Sequence, residues 1–201
     1  ALLILGDCID NTNLVKNKID TLDSLKIKTE SGEGFGLPFP VYKNDKYFSN
    51  KPYAHSTIWC LNAYIEAYKN HPTKDLKLKI GKLISFLDKD LNYAKETVGL
   101  SVSYTGYDKD KIINVSAELS AAFLNFSKNV EKTPYLEKKA TDLMKFVISN
   151  QDSDGGFPYK PGPNGVYDFY HSTMVLRSIL AFMDLQKKYM YLNHFIIGNR
   201  F

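Results

Sequence analysis

The sequence has little cysteine, little arginine and no long apolar run. Its two cysteines, Cys8 and Cys60, form no CxxC pair and have no metal-type spacing, which argues against a disulfide framework. We expect both to be buried free thiols in a reducing compartment, and therefore a cytoplasmic location. The apolar run at residues 1–5 is too short for a transmembrane segment and lacks the basic flank of a signal peptide.

Positive charge is spread along the chain rather than concentrated in one patch. The formal net charge of +4 comes from 26 basic and 22 acidic residues, and only Arg177 and Arg200 are arginines. Diffuse lysine is typical of a solvated surface, whereas nucleic-acid binding uses a basic stripe or cluster. The sequence therefore predicts no nucleic-acid partner.

A six-residue segment recurs three times. Tyr53–Ile58 (YAHSTI) returns as Phe169–Met174 (FYHSTM), and Ile112–Ala117 (IINVSA) is a weaker copy between them. The third positions of the copies, 55, 114 and 171, are separated by 59 and 57 residues. A near-constant period of this kind is typical of stacked supersecondary units that share one core. With 201 residues and 44% apolar content, we expect one domain, residues 1–201.

Two kinds of predicted helix alternate along the chain. Apolar residues recur on one face over residues 76–91 and 136–148, and more weakly over 15–25, which is typical of outer helices. The segments that follow the recurring motif are apolar nearly all round and are expected inside: residues 58–68, 113–126 and 174–185. The pattern predicts an all-α fold of three helical hairpins in two concentric layers, with repeats at about 12–70, 74–129 and 133–189.

The connections from outer to inner helices are long. They cover about residues 30–53, 95–111 and 151–169, and long loops in a compact helical domain are usually functional. Because the units repeat, we expect these loops at one end, beside the N-termini of the inner helices.

Residues 139–180 carry a specific resemblance. Gln151-Asp152-Ser153-Asp154-Gly155-Gly156-Phe157 resembles the Gln-x-x-x-Gly-x-Trp repeat of terpene cyclases and protein prenyltransferase β-subunits, with Phe157 in the Trp position. Asp168-Phe169-Tyr170-His171-Ser172 resembles the Asp-x-Tyr-His-Thr segment that carries the zinc-binding histidine of those β-subunits. The resemblance implies an incomplete α/α toroid, which further hairpins of a larger chain would close.

Two departures from these families bear on chemistry. Where the prenyltransferases have an Asp-x-Cys pair of zinc ligands, this chain has Asn114-Val115-Ser116, and Asn and Ser are poor zinc ligands. Asp88-Lys89-Asp90 lacks the adjacent acids of the proton donor in squalene-type cyclases. We therefore expect no metal and no cofactor.

A second resemblance concerns the middle of the chain. The run Ser103-Tyr104-Thr105, Asp108 and Asn114-Val115-Ser116, followed by the Tyr-His motif, is similar to uncharacterised toroid proteins of surface-polysaccharide biosynthesis clusters. This resemblance implies a glycan or a lipid-linked sugar precursor as the substrate.

Three residues are candidates for catalysis. His55 and His171 occupy matching places ahead of inner helices, and an imidazole can act as general acid or base near neutral pH. Asp168 lies three residues before His171 and would orient its ring. The alternatives are structural: each histidine fills a hydrogen-bonded niche, and Asp168 caps a helix.

The candidate substrate-binding residues come from the long loops and the motif copies. Aromatic side chains there, tyrosine above all, suit a sugar because they stack on its faces and bond its hydroxyls. The predicted set is Phe39, Tyr104, Asn114, Tyr159, Tyr170 and Asp154, although Asp154, which precedes Gly155-Gly156, most simply belongs to a turn. Ser56, Ser116 and Ser172 are expected to cap helices. Converging helix N-termini would favour an anionic ligand.

The sequence therefore predicts an enzyme or substrate-positioning protein of surface-glycan metabolism that binds a sugar or an anionic glycan precursor. One alternative is a non-catalytic binding or scaffold module, and another is an isoprenoid enzyme of the prenyltransferase or terpene-cyclase type. Three hairpins would leave apolar flanks open, so a second copy or a missing partner segment is expected to cover them.

Overall fold

The computed structural model describes residues 12–37, 39, 41–43, 46–48, 50–162 and 165–199. These residues form two compact units, the first ending at Asp90 and the second beginning at Leu91. The described chain is mostly helical, with seven helices and three short two-stranded antiparallel hairpins. The single domain of three repeats stays a prediction. Cys8 lies outside the described residues.

The first unit combines three helices with two hairpins. The helices are α1 (Thr12–Ser24), α2 (Ala54–Asn70) and α3 (Lys74–Lys89), and the strands are β1 (Lys26–Lys28), β2 (Glu33–Phe35), β3 (Val41–Lys43) and β4 (Lys46–Phe48). Helix α3 begins after Thr73, whose side chain accepts a hydrogen bond from Leu76 N–H. Its apolar face is buried, as predicted for an outer helix.

The second unit has four helices and one hairpin. Strands β5 (Tyr93–Lys95) and β6 (Leu100–Val102) precede α4 (Ile113–Asn129), α5 (Pro134–Ile148), α6 (Phe169–Gln186) and α7 (Leu192–Gly198). Helix α4 packs against both α5 and α6. The three copies of the recurring segment mark the starts of α2, α4 and α6, as predicted.

The inner helices differ in burial. Helix α4 is buried nearly all round, as predicted. Trp59 of α2 and Leu180 of α6 are 49% and 48% exposed, so the expectation of a fully buried helix is wrong for these two. Each of these helices packs its core face within its own unit and leaves an apolar side chain on the opposite face.

Each unit contains a glycine that seats a hairpin on an outer helix. A Cβ at Gly32 would lie 2.1 Å from the carbonyl oxygen of Lys82 and 2.9 Å from the nitrogen of Phe86. A Cβ at Gly99 would lie 2.2 Å from the oxygen of Asp142 and 2.6 Å from the nitrogen of Phe146. The same packing therefore recurs in both units, although no strand was predicted in either loop.

The glutamine of the Gln-x-x-x-Gly pattern holds helix α7. Gln151 Nε2 donates to the backbone oxygens of Gly155 and His194, at 3.1 and 2.9 Å. Gln151 Oε1 lies 2.6 Å from His194 Nδ1. Helix α7, which was not predicted, is thus fastened to the turn after α5 by one side chain.

Cys60 of α2 is a free, partly buried thiol. Burial raises its pKa to about 12, so the sulfur stays protonated at neutral pH. None of the described helices is long and apolar enough to cross a bilayer.

Asp23 is the centre of a polar network in the first unit. Its carboxylate lies 2.5 Å from Lys26 Nζ and 2.7 Å from Lys79 Nζ, and it accepts a 2.7 Å hydrogen bond from the Tyr64 hydroxyl. Partial burial acts to raise the pKa of Asp23, but these three partners outweigh it and the pKa lies below its usual value. The network ties α1, α2 and α3 together.

Glu33 extends this network from β2. Its carboxylate lies 2.9 Å from Lys82 Nζ and 3.5 Å from Lys26 Nζ. Partial burial again acts to raise its pKa, and the two lysines lower it by more.

We expect the first unit to lose stability as the pH falls through about 5 to 3. A carboxylate with a depressed folded pKa stabilises the fold above its unfolded pKa, near 4, and this stabilisation is lost as pH falls through the folded value. Asp23→Asn should lower the unfolding free energy at pH 7 by about 1–3 kcal/mol and flatten the acid dependence. Urea unfolding at several pH values measures both.

Asp75→Asn is the matched control, because Asp75 pairs with the same Lys79 but its side chain is 67% exposed. Exposed ion pairs contribute less than about 1 kcal/mol. Equal losses for the two variants would contradict a central role for Asp23.

Candidate functional site

His171 and Asp168 form a contact pair at the start of α6. Asp168 is the N-cap residue, and its Oδ1 accepts a 2.7 Å hydrogen bond from His171 N–H. Its Oδ2 lies 2.5 Å from His171 Nδ1. The two carboxylate oxygens therefore have separate roles: Oδ1 caps helix α6, and Oδ2 contacts the His171 ring and fixes its orientation. The two roles that the sequence left as alternatives occur together.

The electrostatics of Asp168 follow from this arrangement. Partial burial acts to raise its pKa, but hydrogen bonds from the backbone and ring of His171 outweigh it, so the pKa lies below its usual value. Asp168 is thus a carboxylate at neutral pH. The His171 side chain is 31% exposed, so solvent reaches it.

Two tyrosines flank the imidazole. The Tyr159 ring centroid is 4.6 Å from that of His171, and the Tyr170 ring is 5.3 Å away in an edge-on orientation. Burial and the negative charges of three nearby carboxylates raise the pKa of Tyr159, so its hydroxyl stays protonated; these are Asp110, Asp108 and Asp168. Lys160 lies beside this group, with Nζ 2.9 Å from Asp110.

Tyr159 also joins the site to the start of α4. Its carbonyl oxygen accepts a 3.2 Å hydrogen bond from Ile113 N–H, the first residue of that helix. The next residue, Asn114, is 2% exposed, and its Nδ2 lies 3.8 Å from Met174 Sδ on α6. Met174 is one turn after His171, so the two share a face of α6.

The second unit therefore brings together four of the predicted residues, Asp168, His171, Tyr159 and Tyr170, with Asn114 one turn deeper. Met174 and the Asp110–Lys160 pair, which also lie here, were not predicted from the sequence. Met174 closes the recurring segment and carries an apolar side chain typical of a core, while no motif marks Asp110 or Lys160.

Other predicted residues lie elsewhere. Asp154 is exposed and accepts a 3.1 Å hydrogen bond from Gly156 N–H, which is the turn geometry considered for it. Tyr104 is half-buried in the loop where Asp108 accepts hydrogen bonds from the N–H groups of Tyr104 and Thr105. Hydrogen bonds between residues of the loop itself therefore hold its conformation.

The remaining two belong to the first unit. Phe39 is 60% exposed. His55 is partly buried, and its ring centroid lies 4.6 Å from that of Trp59. The roles predicted for both stay predictions.

The expectation that three serines cap the inner helices is wrong. The N-cap residues of α2 and α4 are Tyr53 and Ile112, and neither makes a side-chain capping bond. Ser116 lies inside α4 and donates to the oxygen of Ile112 at 2.7 Å, and Ser172 lies 3.5 Å from the oxygen of Phe157. The helices begin two or three residues before these serines, and the hydroxyls of Ser116 and Ser172 bond backbone carbonyls instead.

Over the described ranges, no group of three or more His, Cys, Asp or Glu side chains has the arrangement of a metal site. The contacts of His171 are a carboxylate and aromatic rings, which suit proton transfer and recognition of a flat, hydroxylated ligand.

The chain is similar to solved α/α-toroid enzymes that act on sugars. Cellobiose 2-epimerase from Bacillus thermoamylovorans B4167 matches 98% of this chain and 55% of its own length, with 14% identity and a TM-score of 0.72. The GH76 α-mannanase BT2949 of Bacteroides thetaiotaomicron matches 93% and 53%, with 17% identity and a TM-score of 0.65. D-mannose isomerase matches 94% and 52%, with 11% identity and a TM-score of 0.65.

The chain spans about half the length of these solved structures. At such identities the likeness establishes the α/α-toroid fold class, as the resemblance implied. No protein-family model matches the sequence. No curated protein matches it either.

Proposed function

We propose that the second unit binds a sugar at the His171 site and that His171 exchanges a proton with it. The observation that carries this proposal is the 2.5 Å contact between His171 Nδ1 and the Asp168 carboxylate beside the Tyr159 ring. The names of the structures that share the fold, a cellobiose epimerase, a mannose isomerase and a mannanase, support a sugar as the ligand.

The carboxylate gives the imidazole a defined role. A carboxylate bonded to Nδ1 favours the tautomer with the proton on that nitrogen, which leaves Nε2 as the proton acceptor. It also stabilises the imidazolium formed after proton uptake. His171 would therefore serve as the general base and acid, and Asp168 would position it.

Tyrosine rings suit the recognition of a sugar. An aromatic face packs on the apolar face of a pyranose, and a phenol hydroxyl bonds the equatorial hydroxyls. Because the pKa of Tyr159 is raised, its hydroxyl remains a hydrogen-bond donor at neutral pH. Tyr170, which is exposed beside His171, would cover the other side of the ligand.

The charges around the site favour a neutral sugar over an anionic glycan precursor. Asp168 occupies the N-terminus of α6, so the partial positive charge of that helix already has an anionic partner. The carboxylates that raise the pKa of Tyr159 would repel a phosphate or uronate, and Lys160 is engaged by Asp110.

The same residues favour proton transfer over glycoside hydrolysis. Hydrolysis generally uses two carboxylates that face each other across the bond to be cleaved. Here Asp168 is engaged by His171 and Asp110 by Lys160, while Asp108 caps its own loop. Proton abstraction next to a carbonyl, as in epimerisation or isomerisation, needs one positioned base.

Non-catalytic sugar binding is the second candidate. His171 N–H donates to the Asp168 carboxylate, and because this capping role requires no catalysis, it is also compatible with a pure binding module. The resemblance that Ser103-Tyr104-Thr105, Asp108 and Asn114-Val115-Ser116 carry would make surface-glycan metabolism the setting of either function.

Asp168→Asn separates capping from proton transfer. Asparagine caps helices as well as aspartate does but lacks the charge at the helix N-terminus, so we expect the unfolding free energy to fall by no more than about 1 kcal/mol. The charge beside His171 is lost, so turnover should fall by about 10-fold or more. Urea unfolding and a nuclear magnetic resonance assay of D-mannose and cellobiose conversion measure the two effects.

Asp184→Asn is the matched control, because Asp184 lies in the same helix away from the pair and its exposed carboxylate pairs with Lys187. It should leave turnover unchanged. Sugar binding without conversion by the wild type would favour the binding module, and no binding of any sugar would contradict the proposed function.

A further inference from the structure

Asn114 carries a buried polar atom without a partner. Its Oδ1 is the one buried side-chain nitrogen or oxygen atom in the described part of the chain that has no hydrogen-bond partner. The side chain is 2% exposed. Burying an amide oxygen unpaired is unfavourable, and such groups are rare in native proteins. Because this unpaired atom lowers the stability of the fold, we look for a role of Asn114 in binding rather than in stability.

The orientation of the amide identifies the missing partner as a donor. Nδ2 lies 3.8 Å from Met174 Sδ, and a thioether sulfur accepts but does not donate hydrogen bonds. The opposite orientation would place the oxygen against the sulfur, acceptor against acceptor. The unpaired atom is therefore the carbonyl oxygen, which requires an O–H or N–H group.

Asn114 is placed next to the His171 site. It is the second residue of α4, and the first residue, Ile113, donates to the Tyr159 carbonyl. Met174, which contacts the Asn114 amide, follows His171 by one turn on α6. The starts of two long helices and the Tyr159 loop thus meet around one unpaired acceptor.

We infer that Asn114 Oδ1 accepts a hydrogen bond from a hydroxyl of the bound sugar and thereby helps to select it. This inference rests on the proposed function and adds a specificity-determining residue to the same site. It also gives a reason why a shape-matched apolar side chain does not occupy this buried position beside Met174.

Asn114→Leu tests the inference by separating affinity from stability. Leucine has the same branching and removes the unpaired oxygen, so the melting temperature should rise by about 2 °C or more. Affinity for D-mannose or cellobiose, measured by titration calorimetry, should fall about 10-fold. Ser120→Ala is the matched control, because Ser120 is equally buried in α4 but its hydroxyl donates to the Ala140 oxygen at 2.6 Å. It should lower the melting temperature and leave affinity unchanged.

Monodeoxy analogues of the better-binding sugar identify the hydroxyl. One analogue should bind the wild type about 10-fold more weakly than the parent sugar and bind Asn114→Leu as well as the parent does. If Asn114→Leu loses stability and keeps wild-type affinity, the amide is a structural residue and the inference is wrong. If Asn114→Leu and Asn114→Ala weaken all analogues equally, the lost interaction is not this hydrogen bond and the inference is also wrong.

Failure of the proposed function has a different signature. In that case the wild type binds neither sugar, or His171→Asn incorporates solvent deuterium into D-mannose as fast as the wild type does. A sugar that binds through His171 but is indifferent to Asn114 overturns only the inference.

Discussion

Replacing Gly99 by alanine is expected to lower the unfolding free energy of the second unit by about 2–5 kcal/mol. Gly99 has a φ of +84°, where any other L-residue costs about 1–2 kcal/mol. Its Cβ would also lie 2.2 Å from the backbone oxygen of Asp142. Backbone of α5 cannot move aside without breaking its own hydrogen bonds, so the β5–β6 hairpin would lift from the helix. Urea unfolding followed by circular dichroism measures the loss.

Gly162 and Gly32 separate the cost of the positive φ from the cost of the steric overlap, and Gly81 is a position with neither. Gly162 has a φ of +122° in open space, so Gly162→Ala should show the conformational cost alone. A Cβ at Gly32 would meet Lys82 without a positive φ, so Gly32→Ala should show the overlap alone. Gly81 lies in α3 with nothing within 4 Å, and Gly81→Ala should stabilise the first unit by about 0.5–1 kcal/mol. A Gly99→Ala protein as stable as Gly162→Ala would contradict the packing of the hairpin on α5.

Replacing His171 by asparagine is expected to reduce proton exchange on the sugar by at least about 100-fold. Asparagine keeps a hydrogen-bonding group near Asp168 but cannot take up a proton. The assay follows incorporation of solvent deuterium next to the carbonyl carbon of D-mannose in heavy water by nuclear magnetic resonance. Stability should change little, because the Asp168 cap bonds the backbone of residue 171 rather than its ring.

His71→Asn is the matched control for this experiment. His71 is exposed at the C-terminal end of α2, so its loss should leave deuterium incorporation unchanged. The same assay on His55→Asn tests the sequence-based prediction that His55 also takes part. Wild-type incorporation by the His171→Asn protein would contradict the role of His171 as base.

The helices of this fold could be predicted because their burial is periodic. The one-sided apolar pattern of residues 76–91 and 136–148 fits α3 and α5, and the recurring segment marks the starts of three helices. The hairpins could not be predicted, since strands such as Lys26–Lys28 and Tyr93–Lys95 have three residues and little alternation. The packing of Gly32 and Gly99 on helix backbones places these hairpins, and that contact is tertiary.

Only the part of the candidate site that depends on local sequence could be predicted. A three-residue spacing is short enough for the Asp168–His171 contact to be inferred from the sequence. The approach of Tyr159 to His171 and of Asn114 to Met174 joins segments 12 and 60 residues apart, which local pattern does not specify. Helix α7 likewise depends on Gln151 reaching His194, 43 residues away.

The most direct test of the account follows the histidine ring signals by nuclear magnetic resonance during titration with D-mannose and cellobiose. The chain has four histidines, and the His171→Asn variant assigns the signal of interest by its absence. We predict that at least one sugar shifts the His171 signals in a saturable manner while those of His71 stay unchanged. A saturable shift at other histidines with His171 unmoved, or no shift with either sugar, would contradict the proposal that this ring forms the centre of a sugar site.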